Sequence, residues 1–263
     1  IADGVQLFQH RAQSLGCPLP NDIDLTGIVK AVEGSPLAIL VAASQLQSLS
    51  FEALYESLSH SLATLLKDDS HLTGTIGWSW ALLTEAEQSV LIQCALFDGG
   101  FNLDLVESVI DITDDIWPED ALITLVDHSL MYRRTVDGTS RLYLYETVRA
   151  YVQQVSPHRD EALENRFVAA FGQLNKGGKH ALTSIDEAMT RTQQLALEMP
   201  NLKTAQRLAR TRPGEDARWI LDAVIWMWRR FGRFVELKQM LAEWIELDTI
   251  TKDTLRDIVD QTL

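Results

Sequence analysis

Apolar residues recur at helical spacing along almost the whole of this chain, and the period changes in one place. Leu130–Val136 and Ser140–Tyr145 read as strands, with Asp137-Gly138 between them. This arrangement predicts a β-hairpin, because the two-residue turn that suits strand twist needs positive φ at both central positions, which Asp and Gly tolerate. A chain that is helical everywhere else is left to fold as packed helices carrying one small β-ribbon.

Ahead of the hairpin, one helix is predicted over residues 3–15, with Val5, Phe8, Ala12 and Leu15 on one face, and a second over 24–32. A third starts at Pro36, the first-turn place that proline favours, and runs to about Ser48. Ser50 then caps a fourth, which turns Phe51, Leu54 and Leu58 inward. Together they make a small helical bundle over residues 1–66. Residues 71–155 form the next unit, with helices over 75–83, from Thr84 to about Asp98, over 103–109, 119–128 and 146–154, and the hairpin before the last. Thr84 and Glu87 have the spacing of a capping box. Helices, hairpin and closing helix in this order predict a winged-helix domain. Ser156-Pro157 marks a boundary, and residues 157–263 read as helices over 159–174, 185–197, 201–210, 217–231 and 234–247, the last two turning at Gly232. These are TPR-like α-helical hairpins, with Trp219, Trp226, Trp228 and Trp244 as inter-helix packing. The expected fold class is mainly α: a small helical bundle, a winged-helix domain with one β-hairpin, then TPR-like helical hairpins.

The net charge of −14 is not spread evenly. Residues 1–156 hold 21 acids and 7 Lys plus Arg, whereas residues 157–263 hold 16 of each. An acidic winged helix repels phosphate backbones, so direct nucleic-acid binding by this region is not expected. Cys17 and Cys94 lack the spacing of a zinc site or the density of a disulfide scaffold, and read as free thiols in a reducing, cytoplasmic setting. No apolar run is long enough to span a bilayer. Ile1 is not Met and the helical pattern is already running at Val5, so the chain reads as a fragment that begins inside a domain.

Four stretches resemble the NB-ARC, or STAND, signal-transduction ATPases, and are closest to the large bacterial transcriptional activators among them. Gly34-Ser35-Pro36-Leu37-Ala38 is similar to the Gly-Leu-Pro-Leu-Ala segment that follows the nucleotide-binding domain. Trp78-Ser79-Trp80 with Leu82-Leu83 and Glu87-Gln88 resembles the entry of the family's winged helix. Phe97-Asp98-Gly99-Gly100-Phe101 is similar to its F-x-G-G-F turn, and Leu144-Tyr145-Glu146-Thr147-Val148-Arg149 to its L-E-T-V-R segment. A fifth, Glu198 to Ala205 with Asn201-Leu202, resembles the following helical repeats.

The resemblance implies that ADP or ATP, with Mg held mainly by a P-loop domain upstream, is closed over by the bundle and the winged helix. Exchange for ATP then releases the switch and permits self-assembly, and a protein, peptide or small-molecule inducer binds the helical repeats. Carried over, Pro36 lies against the adenine with Gly34 and Leu37 beside it. The histidine that some relatives aim at the phosphates is absent, since its place reads Leu144-Tyr145-Glu146; Tyr145 either offers a hydroxyl there or, the reading favoured by its place at a strand end, packs as a core tyrosine. His71 and His128 are tied to no ligand by the sequence.

The chain has no P-loop of its own. Gly177-Gly178-Lys179-His180 lacks the first glycine and the hydroxyl, and it follows a helix rather than a strand. Asp111–Asp115 lacks the glycine and distal glutamate of a calcium loop. No catalytic constellation stands out, so neither activity nor a bound cofactor is expected of the chain alone. Two other readings remain. One is a helical interaction scaffold without nucleotide function. The other is a DNA-binding winged-helix regulator, disfavoured because the recognition-helix candidate, 119–127, has no Lys or Arg.

Overall fold

The computed structural model describes residues 1–17, 19, 23–32, 34–56, 71–112, 117–157, 160–177 and 184–246. Expectations for Leu58, the bundle end at 57–66, most of the Asp111–Asp115 loop, Lys179, His180 and the segment from 247 onward lie outside these residues.

The chain divides into two compact units. The first comprises Ile1–Ala95 with Ile112–Pro157, the second Leu96–Asp111 with His158–Leu263. The first contains α1 (Ala2–Ser14), α2 (Thr26–Ala31), α3 (Pro36–Ser44, followed by a 3-10 turn over Gln45–Gln47) and α4, described over 51–56. It also holds α5 (His71–Leu82), α6 (Glu85–Cys94), α8 (Pro118–Asp127), β1 (Met131–Val136), β2 (Thr139–Leu144) and α9 (Glu146–Val155). To the second belong α7 (Leu103–Val109), α10 (Glu161–Leu174), α11 (Ile185–Leu197), α12 (Met199–Ala209), α13 (Glu215–Arg230) and α14 (Phe234–Glu246).

In the first unit, Phe8, Leu25, Ile28, Val29, Ile39 and Leu54 form a buried apolar cluster. The bundle and the winged-helix segments pack as one body. Buried Gln45 donates through Nε2 to Ser79 Oγ at 3.0 Å, and the Ser129 hydroxyl donates to the Leu40 carbonyl at 3.3 Å. Thr84 caps α6 reciprocally: its Oγ1 accepts from the Glu87 N–H, and its own N–H donates to the Glu87 carboxylate at 2.8 Å. β1 and β2 pair antiparallel from Met131 opposite Leu144 to Val136 opposite Thr139, leaving Asp137 and Gly138 as a two-residue turn with φ of 49° and 78°.

In the second unit, Phe97 and Phe101 are fully buried, and Phe97 lies 5.1 Å from Phe167 of α10 between ring centroids. Residues 96–111, which fall inside the 71–155 segment of the sequence, therefore bury their aromatics against the helices that follow Ser156. The Arg166 Nε–H donates to the Val109 carbonyl at 2.8 Å, at the end of α7. Gly172 lets α10 and α13 meet closely, since a Cβ there would stand 2.5 Å from that of Asp216. Gly232, at φ 68°, ends α13 in the left-handed conformation that favours glycine. Trp244 and Trp228 are buried and Trp219 and Trp226 half-buried. Among the described residues, no helix is long and apolar enough to cross a membrane.

Candidate functional site

Gly34, Pro36 and Leu37 lie together at the start of α3. Gly34 has φ 69° and is exposed, Ser35 is the N-cap, and Pro36 begins the first turn with its ring exposed, while Leu37 is half-buried. The missing N–H of Pro36 falls where the helix has no carbonyl partner to offer, so the proline costs no hydrogen bond.

Tyr145 sits elsewhere in the same unit, as the N-cap of α9. Its ring lies 4.8 Å from that of Tyr132, and it feels the charge of Arg11. Burial pushes its hydroxyl above the ordinary tyrosine value, with Arg11 opposing, so it stays protonated at neutral pH. Its ring and charge partners are Tyr132 and Arg11.

Arg11 was not singled out by sequence; a lone arginine on an amphipathic helix carries no local signal. In the structure its Nη2 donates to the Val126 and Asp127 carbonyls at 2.7 and 2.9 Å. These are among the last carbonyls of α8, at the negative end of its dipole, and that of Val126 also accepts from the Ser129 N–H at 3.0 Å. Arg149 does the same for α6, donating from Nη1 to the Ala95 carbonyl while pairing with Glu146. His128 lies just past α8. Burial lowers its pKa, against the opposing charges of Glu87 and Asp127.

α8 occupies the place of a recognition helix, directly before the hairpin. Glu119, Asp120 and Ile123 are exposed on it, and Trp117 at its N-cap is 78% exposed. No Lys or Arg lies between Pro118 and Asp127. The basic groups of the wing are on the strands: Arg133 and Arg134 are exposed on β1, and Arg141 is buried on β2. Among the described residues, no group of three or more His, Cys, Asp or Glu is arranged to hold a metal ion.

Residues 83–156 match the family described as "Winged helix-turn-helix domain". With α6, α8, the hairpin and α9 in order, the chain contains a domain of the winged helix-turn-helix class. Over 160 residues it is 33% identical to "Putative HTH-type transcriptional regulator Rv0890c" of Mycobacterium tuberculosis (strain ATCC 25618 / H37Rv), covering 57% of this chain and 17% of that protein. The Mycobacterium bovis protein "Putative HTH-type transcriptional regulator Mb0914c" matches to the same extent. "Uncharacterized protein Mb0918" of M. bovis is 26% identical over 174 residues, 61% of this chain and 44% of that protein. The chain thus spans about 17% of the length of the regulators it matches first. This class of domain makes nucleic acid a partner to be tested, although the acidic charge and the lack of Lys and Arg over 119–127 speak against it.

Proposed function

We propose that this chain is the regulatory and sensor portion of a nucleotide-dependent switch in a transcriptional regulator. In this reading the exposed start of α3, with Pro36 foremost, closes over ADP or ATP held by a P-loop domain elsewhere in the parent protein. The observation that carries it is the outward face of α8. Where a DNA-reading winged helix needs donors for phosphates and base edges, this one presents Glu119, Asp120, Ile123 and Trp117. Such a face suits contact with protein, and α8 is itself held to the bundle through Arg11.

Calorimetry with ADP, on this chain and on the parent extended upstream, tests the reading. Binding is expected only for the longer protein, weakened about tenfold or more by Pro36→Ala. If neither protein binds, the chain is a helical interaction scaffold.

A second reading, direct DNA binding, is favoured by the exposed Arg133 and Arg134 of the wing and by the names of the relatives. A low-salt gel shift decides it. Salt-sensitive retardation that is lost in Arg133→Ala/Arg134→Ala would establish DNA contact.

A further inference from the structure

The second unit carries a groove of about 420 Å³ between α12, α13 and α14, within the roughly 300–1,000 Å³ of small-molecule sites. Its wall is basic in a chain whose net charge is −14: Lys203, Arg207, Arg210 and Arg233 stand against Asp98, Glu236 and Glu243. The acids are already engaged. Thr204 donates its hydroxyl to Asp98, Arg210 pairs with Glu243 at 2.9 Å, and Arg233 pairs with Glu236 at 2.7 Å.

Lys203 and Arg207 are exposed and four residues apart on α12, so they project from one face as neighbouring like charges. Lys203 feels Glu236, which Arg233 already holds. Behind these cations the groove is lined by two further donors. Gln206 Nε2 and Trp228 Nε1 are both buried without a hydrogen-bond partner. Buried donors left unpaired are costly, and a small rotation of these side chains toward an acceptor in the groove would relieve that cost. The lining thus combines surplus positive charge with surplus donors, and both call for an anion rich in acceptors.

We propose that this groove binds a small organic anion bearing two or more carboxylate or phosphate groups, with Lys203 and Arg207 meeting its charge and Gln206 and Trp228 donating to it. The size of the groove favours a small molecule over an acidic protein segment. As the signal that the sensor reads, this ligand rests on the function proposed above; the binding itself does not.

The indole N–H resonance of Trp228, assigned with Trp228→Phe in the 263-residue chain, reports on the site. Citrate and pyrophosphate are the probes, and they separate carboxylate from phosphate chemistry. Saturable movement of that resonance is expected with at least one probe, at a Kd of about 1 mM or tighter. Lys203→Gln and Arg207→Gln should each weaken it about tenfold, and Lys238→Gln, exposed on α14 outside the groove, should leave it unchanged. No movement at about 10 mM of either probe, or movement that survives Lys203→Gln/Arg207→Gln, overturns the proposal. ADP calorimetry probes the start of α3 instead, so failure of either idea is read separately.

Discussion

The side chain of Asn201 completes the turn at Gly99, 102 residues earlier. Its Oδ1 accepts from the Gly99 N–H at 2.7 Å, while its Nδ2 donates to the Gly100 carbonyl at 3.0 Å and to Glu198 at 2.8 Å. Asn201 is fully buried, and a Cβ on Gly99 would stand 3.2 Å from its amide. Two of the stretches that carry the family resemblance, the Phe97–Phe101 turn and the Glu198–Ala205 segment, are therefore one structural feature. Asn201→Ala would remove the acceptor of the half-buried Gly99 N–H and a donor to the Gly100 carbonyl. Urea denaturation should show the second unit destabilised by about 2–3 kcal/mol. A loss below about 0.5 kcal/mol would mean that water replaces the amide, and the turn does not depend on it.

A related constraint lies at Gly172. An added Cβ would meet the Asp216 Cβ at 2.5 Å and its Cα at 2.7 Å, so the obstacle includes backbone and cannot swing away. Gly172→Ala should therefore lower stability despite the better helix propensity of alanine, by about 1–3 kcal/mol. A rise in the urea midpoint would show that α10 and α13 can separate without cost.

Features encoded locally were legible in the sequence. Thr84 and Glu87 announce their capping box by spacing, and Asp137-Gly138 announces its turn by backbone preference. Gly34 and Pro36 likewise mark the start of α3. What the sequence could not give were partners distant in the chain. The periodicity of 103–109 predicts a helix but not that it packs with α10, because an apolar stripe says which face is buried and not against what. Nor does any local pattern show that Arg11 caps α8, that Tyr145 feels the charge of Arg11, or that Lys203 and Arg207 border a groove. Each of these follows from packing between segments far apart in the chain.

His128 should make the first unit sensitive to mild acid. Burial holds its pKa below the ordinary 6.5, only partly offset by Glu87 and Asp127. The unfolded chain therefore binds the proton more readily than the folded one, and stability falls as pH drops. The contribution is complete above about pH 6.5 and is lost progressively as pH falls toward the lower folded value. Thermal melts between about pH 7.5 and 5.5 should show a declining Tm, and His128→Gln should flatten that decline. An unchanged slope in the variant would place the acid sensitivity on other groups.

The two thiols should differ in reactivity. Cys94 is fully buried at the end of α6, and burial drives its pKa far above the usual thiol range, with Arg149 opposing only weakly. Cys17 is half-buried, its thiol donating to the Leu46 carbonyl at 3.5 Å. Only the thiolate attacks an aromatic disulfide reagent, and it must be reachable. At about pH 8 the native chain should titrate with one equivalent, which disappears in Cys17→Ser, and two equivalents should appear in denaturant. Because the Cys94 pKa is raised, the stability it contributes is present below the ordinary thiol value and is lost as pH rises above it. Reaction of Cys94 in the native chain near neutrality would mean that the end of α6 opens, and that the Arg149 cap on Ala95 does not hold it closed.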